Sequence, residues 1–75
     1  MMKNMKFLRV MKEYSQLNVQ IKTGIDQSIL SKYERGEYMP TTENLLLLAK
    51  FYNTSLDYLM DLTDIQEPYP RKKGV

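Results

Sequence analysis

Cysteine and histidine are both missing from this chain. Without cysteine there is no disulfide framework and no thiolate metal site. Without histidine the usual zinc ligands are gone, along with every Cys/His and Ser/His catalytic arrangement. Carboxylates remain, but no two share an obvious apolar pocket, and 75 residues leave little room for a substrate cavity. The expectation is a protein that is not an enzyme and carries neither metal nor cofactor. Long apolar runs are also lacking, the longest being residues 45–49, far short of a membrane span. Charge interrupts Met1-Met2-Lys3-Asn4-Met5-Lys6 too early for a signal peptide, so a cytoplasmic protein is expected.

What is present suits one small domain. The chain is 43% hydrophobic and 27% charged, ordinary for a folded globular protein, so disorder is expected only at its ends. A core this small lies near the lower limit for independent folding, and dimerisation or ligand binding would add stability. The net charge of +2 hides a strong asymmetry. Residues 1–36 carry seven basic side chains against three acidic ones. Residues 37–67 carry only Lys50 against six carboxylates, and Arg71, Lys72 and Lys73 follow. A polyanion-binding face backed by a non-binding half produces such polarity, and so do ordinary solvated helix faces.

Everything before Pro68 reads as helix, since spacings of three and four recur and strand-like alternation does not. Met5, Leu8, Met11 and Tyr14 form one stripe, which predicts a first helix over about residues 4–14 with Asn4 as its N-cap. Ser15 is suited to cap a second helix that runs to Thr23 and stops at Gly24. Asp26 caps a third helix, Gln27–Arg35, with Ile29, Leu30 and Tyr33 as its apolar members and Gly36 ending it. A loop through Pro40 follows. Thr41 caps a fourth helix reaching Phe51 or Tyr52, with Leu45, Leu48, Ala49 and Tyr52 on one face and Asn53 closing it. Ser55 caps a fifth helix containing Leu56, Leu59, Met60 and Leu62. The fold class is all-α, with a domain over residues 1–67 and a basic, disordered tail over 68–75. The turn of about three residues at Gly24-Ile25-Asp26 forces a steep crossing, the geometry of a helix-turn-helix.

The stretch Gly24-Ile25-Asp26-Gln27-Ser28-Ile29-Leu30-Ser31-Lys32-Tyr33-Glu34-Arg35-Gly36 carries a closer likeness. Ser15-Gln16 stands upstream of it, with Met39-Pro40-Thr41 and Thr54-Ser55-Leu56-Asp57-Tyr58-Leu59 downstream. In this order and spacing, the chain resembles the Cro/Xre-type helix-turn-helix domain of phage repressors and small bacterial regulators, over roughly residues 5–61. The resemblance implies a compact five-helix, phage-repressor-like DNA-binding domain whose third helix enters the major groove. It assigns base contacts to Gln27, Ser28 and Lys32, because a glutamine amide matches the N6/N7 edge of adenine and lysine the O6/N7 edge of guanine. It assigns phosphate contacts to Gln16, at the free N–H groups of a helix start, and to Ser31 and Arg35. Tyr38 either donates its hydroxyl to a phosphate or only covers the edge of the core. Arg9 and Glu34 match a structural ion pair that ties the recognition helix to the first helix.

Two positions depart from the family pattern. Gln20 stands where a small alanine usually allows close helix approach, so its side chain must snorkel outward or open the crossing. Leu17 and Ile21 place an apolar pair on a face that the family keeps polar. Either the second helix is rotated or the pair belongs to a partner surface; Val19 and Ile25 at core positions favour the unrotated register. The functional expectation is a nucleoid-associated transcriptional regulator that binds double-stranded DNA. Two copies would read a pseudo-palindromic operator, with repression favoured because no sensing domain fits in this length and no small-molecule effector expected. Leu47, Tyr58, Met60, Leu62 and Ile65 are expected at the homodimer surface. The alternative is a protein-interaction module, such as an antitoxin-like or phage-encoded adaptor.

Overall fold

The computed structural model describes residues 2–70, and the regular structure among them is entirely helical. Its elements are α1 (Lys3–Met11), α2 (Gln16–Thr23), α3 (Gln27–Arg35), α4 (Thr42–Tyr52) and α5 (Leu56–Leu59). Arg71, Lys72 and Lys73, the basic part of the expected tail, lie outside the described residues. No helix among the described residues is long and apolar enough to cross a membrane.

Four helices begin where a side-chain oxygen accepts a backbone N–H that has no intrahelical partner. Ser15 accepts from Asn18, whose side chain returns the bond to the Ser15 N–H; Asp26, Thr41 and Ser55 cap α3, α4 and α5. α1 differs. Its flanking residue is Met2, which has no capping group, and Asn4, expected as the N-cap, lies inside the helix. Asp61 supplies the cap from across the molecule, its two oxygens accepting from the Lys3 and Asn4 N–H groups at 2.8 Å each. The Asn4 amide instead donates to the carbonyls of Tyr58 and Thr63, tying α1 to α5 and to the chain just after it.

Helix ends explain where the expected boundaries fail. Gly36 turns left-handed after α3, and Asn53 does the same after α4. The same reversal occurs at Glu13 (φ 59°) and Asp61 (φ 62°), residues that carry no sequence mark of a helix end. At Glu13 it ends α1 at Met11 rather than Tyr14, and the Tyr14 N–H closes the turn onto the Arg9 carbonyl. At Asp61 it ends α5 at Leu59 and leaves Leu62 outside the helix.

The core lies where all five helices meet, with Val19, Leu48 and Leu59 wholly buried. Leu45, Leu48, Ala49 and Tyr52 form the buried face of α4. Met2 and Met5 fill the base of the core from α1, whereas Met11, expected in the same stripe, is 64% exposed because the helix ends there. Tyr14, released from helical geometry, packs its ring on Phe51 with centroids 5.3 Å apart. Tyr58 is a core residue, not a surface one, and Met60 packs against that core. Of the side chains expected at a dimer surface, Leu47, Leu62 and Ile65 are the exposed ones.

Candidate nucleic-acid interface

α2 and α3 pack directly on each other, joined by Gly24-Ile25-Asp26. Gly24 takes a left-handed conformation (φ 80°) that ends α2, and Ile25 drops into the core, so the chain reverses within three residues. Val19 is buried while Leu17 and Ile21 are exposed, which places α2 in the unrotated register. Gln20 stays half-buried at the crossing, its amide nitrogen toward solvent and its oxygen toward α3. Its Oε1 accepts the backbone N–H of Gln27 at 2.7 Å, across the turn.

The first turn of α3 therefore has its donors satisfied from within the protein. The Gln27 N–H goes to Gln20, that of Ser28 to Asp26 Oδ1 at 2.8 Å, and that of Ile29 to the Asp26 carbonyl. Hydrogen bonds from the hydroxyl and N–H of Ser28 hold the Asp26 carboxyl below its ordinary pKa. The start of α2 contrasts with this, since among the described residues the N–H groups of Gln16 and Leu17 have no protein acceptor.

Leu30, Tyr33 and Glu34 face inward from α3, leaving Ser28, Ser31, Lys32 and Arg35 along the opposite face and Gln27 at its leading edge. Each polar group has a defined hydrogen-bonding state. The Gln27 side-chain amide has no protein partner among the described residues, whereas the Ser28 hydroxyl donates to Asp26 Oδ1 and is left as an acceptor. The Lys32 ammonium sits 4.6 Å above the centre of the Tyr38 ring and donates to its hydroxyl. Tyr38 is half-exposed, and its hydroxyl donates to no protein group among the described residues. Arg35 donates to Glu37 and to the Ser31 hydroxyl. That hydrogen bond raises the Arg35 pKa and lowers that of Glu37. Glu37 remains charged, paired at the surface with Arg35.

Behind this face, α3 is tied to both neighbouring helices through one carboxylate. Arg9 Nε and Nη2 donate to Glu34 at 2.7 and 3.0 Å, a two-pronged pair, and Arg9 Nη1 donates to the Tyr14 carbonyl. Gln16 Nε2 adds a third bond to Glu34 at 3.2 Å, leaving one amide N–H for an outside acceptor. The bond to Glu34 raises the Arg9 pKa, and burial pushes that of Tyr52 upward beside the same carboxylate. Lys6, Gln16, Ser31 and Arg35 border an open groove of about 550 Å³ over this network. No group of His, Cys, Asp and Glu fit to hold a metal occurs among the described residues.

The family model described as helix-turn-helix matches residues 5–59, taking in all five helices except the first two residues of α1. The chain belongs to the Cro/Xre-type helix-turn-helix family. Two family relatives come from Bacillus subtilis strain 168. The uncharacterised HTH-type transcriptional regulator YobD is 35% identical over 54 residues, which is 72% of this chain and 48% of that protein. The HTH-type transcriptional regulator ImmR is 35% identical over 65 residues, 87% of this chain and 51% of its own. The chain thus spans about half the length of the curated relatives it matches. No solved structure matches it.

Within this helix-turn-helix frame, the sequence reading missed the partners that lock the side chains. Gln20 with Gln27, Gln16 with Glu34, and Lys32 with Tyr38 each join different elements, so no single-helix pattern pairs them. The reciprocal pair of Ser15 and Asn18 was within reach, because a short polar side chain three residues after a serine N-cap fits a capping box.

Proposed function

We propose that this chain is a sequence-specific, double-stranded-DNA-binding transcriptional regulator that lays α3 in the major groove. The observation that carries this reading is the outward polar side of α3, with Gln27 at its head and Ser28 and Lys32 one turn apart, on a helix whose first turn and inner carboxylate are fixed. A fixed helix holds base-reading groups without the entropic loss of ordering them on contact. Gln27 offers the bidentate amide that suits adenine, Lys32 the cation that suits guanine, and Ser28 an acceptor for a base amino group. In this reading Gln16, with the open N–H groups of α2, holds a phosphate, and Ser31, Arg35 and Tyr38 extend that backbone contact.

In this reading two copies bind a pseudo-palindromic operator one helical turn apart and repress by occlusion. The domain that performs this comprises residues 1–67, with residues 68–75 as a basic appendage. The names of the two relatives, both transcriptional regulators, support the regulatory role. Selection from random duplexes followed by sequencing tests it, a palindromic consensus being the expected product. Gln27→Ala and Lys32→Ala should each lower discrimination against a scrambled site by roughly 1–3 kcal/mol. Gln16→Ala should weaken all duplexes alike. Site preference unchanged in both α3 variants would overturn the assignment.

A second reading, a protein-interaction module, is favoured by the exposed pair Leu17 and Ile21 on α2. Salt separates the two. Duplex binding that releases several counterions falls steeply with ionic strength, whereas an apolar protein contact does not.

A further inference from the structure

We propose that Gln20 is a positioning residue for base recognition, setting where Gln27 stands at the head of α3. The inference rests on the DNA-binding reading above and concerns a residue which that reading leaves out. A backbone N–H can only donate, so the atom 2.7 Å from the Gln27 nitrogen is the Gln20 carbonyl oxygen, and the orientation of the amide is thereby fixed. Its Nε2 then carries two donors with no protein partner among the described residues. Every buried side-chain nitrogen and oxygen of those residues does have a partner, so Nε2 reaches solvent.

The Gln27 N–H is the one donor of the first turn that α3 cannot satisfy with its own residues. Asp26 takes the next two, through its side chain and its carbonyl. Alanine at position 20 would leave the Gln27 N–H to water. Glutamine at this position closes the turn and connects the middle of α2 rigidly to the residue that leads the base-reading face. The side chain of Gln27 then pivots about a peptide held from two helices, and small tilts of the start of α3 are suppressed. Pre-positioning of this kind acts on discrimination between sequences, because a displaced amide loses its bidentate match while phosphate contacts persist.

The test uses the full chain, a duplex enriched from random sequence and a scrambled duplex of equal length. Wild type, Gln20→Ala and Gln20→Glu are compared for affinity to both, and exchange of the Gln27 amide proton is followed in the free protein. Gln20→Ala should speed that exchange and cut the ratio of enriched to scrambled affinity roughly five- to tenfold, the scale of one lost capping bond. Affinity for the scrambled duplex should stay within about twofold, since uniform phosphate contacts remain. Gln20→Glu retains the acceptor and should retain both slow exchange and the affinity ratio, while its new charge weakens binding to both duplexes alike. An unchanged ratio in Gln20→Ala, or a ratio lost equally in Gln20→Glu, overturns the assignment. A wild-type protein that enriches no sequence overturns instead the DNA-binding reading on which it depends.

Discussion

Arg9→Ala should come close to unfolding this domain. The Glu34 side chain is 4% exposed and that of Arg9 13%, so the pair is withdrawn from water. Truncating Arg9 removes both prongs on Glu34 and leaves the carboxylate with Gln16 alone; the Tyr14 carbonyl loses its Arg9 donor as well. Breaking one side of such a pair costs about 3–5 kcal/mol, most of it the penalty of a buried charge without its partner. A core of this size supplies little more than about 3–5 kcal/mol of stability, so the two quantities nearly cancel. At about 4–8 °C per kcal/mol for a domain of this length, thermal unfolding should move down by at least roughly 12 °C.

Replacing both partners together gives the opposite expectation. Arg9→Met/Glu34→Leu fills similar volume without charge and should recover most of the loss. Urea unfolding of wild type, Arg9→Met, Glu34→Leu and the double variant yields the coupling energy, with Arg9→Ala measured beside them. A loss below about 1 kcal/mol in Arg9→Ala would refute the reasoning, since that is the value of an exposed pair.

Three further outcomes are expected. Asp61→Ala removes the distant cap of α1 and, at φ 62°, the short polar side chain that makes this backbone tolerable, whereas Asp61→Asn keeps an acceptor and that tolerance; urea midpoints should show a loss of about 1–2 kcal/mol for the first and much less for the second. Gly24→Ala meets no atom within 4 Å of its new Cβ, so its cost is that of the left-handed backbone alone, about 1 kcal/mol by thermal unfolding, and a larger loss would show hidden crowding. Asp26 and Glu37 titrate below their ordinary values through the bonds from Ser28 and Arg35, so the stability they contribute is present above the unfolded carboxylate range and is lost as pH falls through their folded values. Stability should therefore decline on acidification below about pH 4, and Asp26→Asn should flatten part of that decline; identical acid profiles for the two proteins would exclude the Asp26 contribution.

Much of the local order was legible because its causes are local. Ser15, Asp26, Thr41 and Ser55 each cap a helix from the adjacent position, and the start of every helix but α1 follows from them. Gly24, Gly36 and Asn53 stop helices because they tolerate the left-handed turn. The start of α1 was not legible because its deciding partner is remote. α1 starts at Lys3 because Asp61 reaches it from 58 positions away, and no pattern near Met2 announces this. α1 and α5 end early because Glu13 and Asp61 accept positive φ in their tertiary setting.

The same division runs through the candidate site. Short-range pattern put Ser28 and Lys32 one turn apart on one side of α3 with Gln27 at its head, since helical geometry alone decides which residues share a face. Which of their atoms remain free is another matter. That Ser28 keeps only an acceptor, that Lys32 rests on Tyr38 and that Gln20 holds Gln27 depend on α2, α3 and the loop after α3 being brought within hydrogen-bond reach. The sequence by itself determined five helices, most of their caps and the face of α3 turned to solvent. Only the tertiary structure decided how that face is held, because a hydrogen bond depends on distance and angle rather than on separation along the chain.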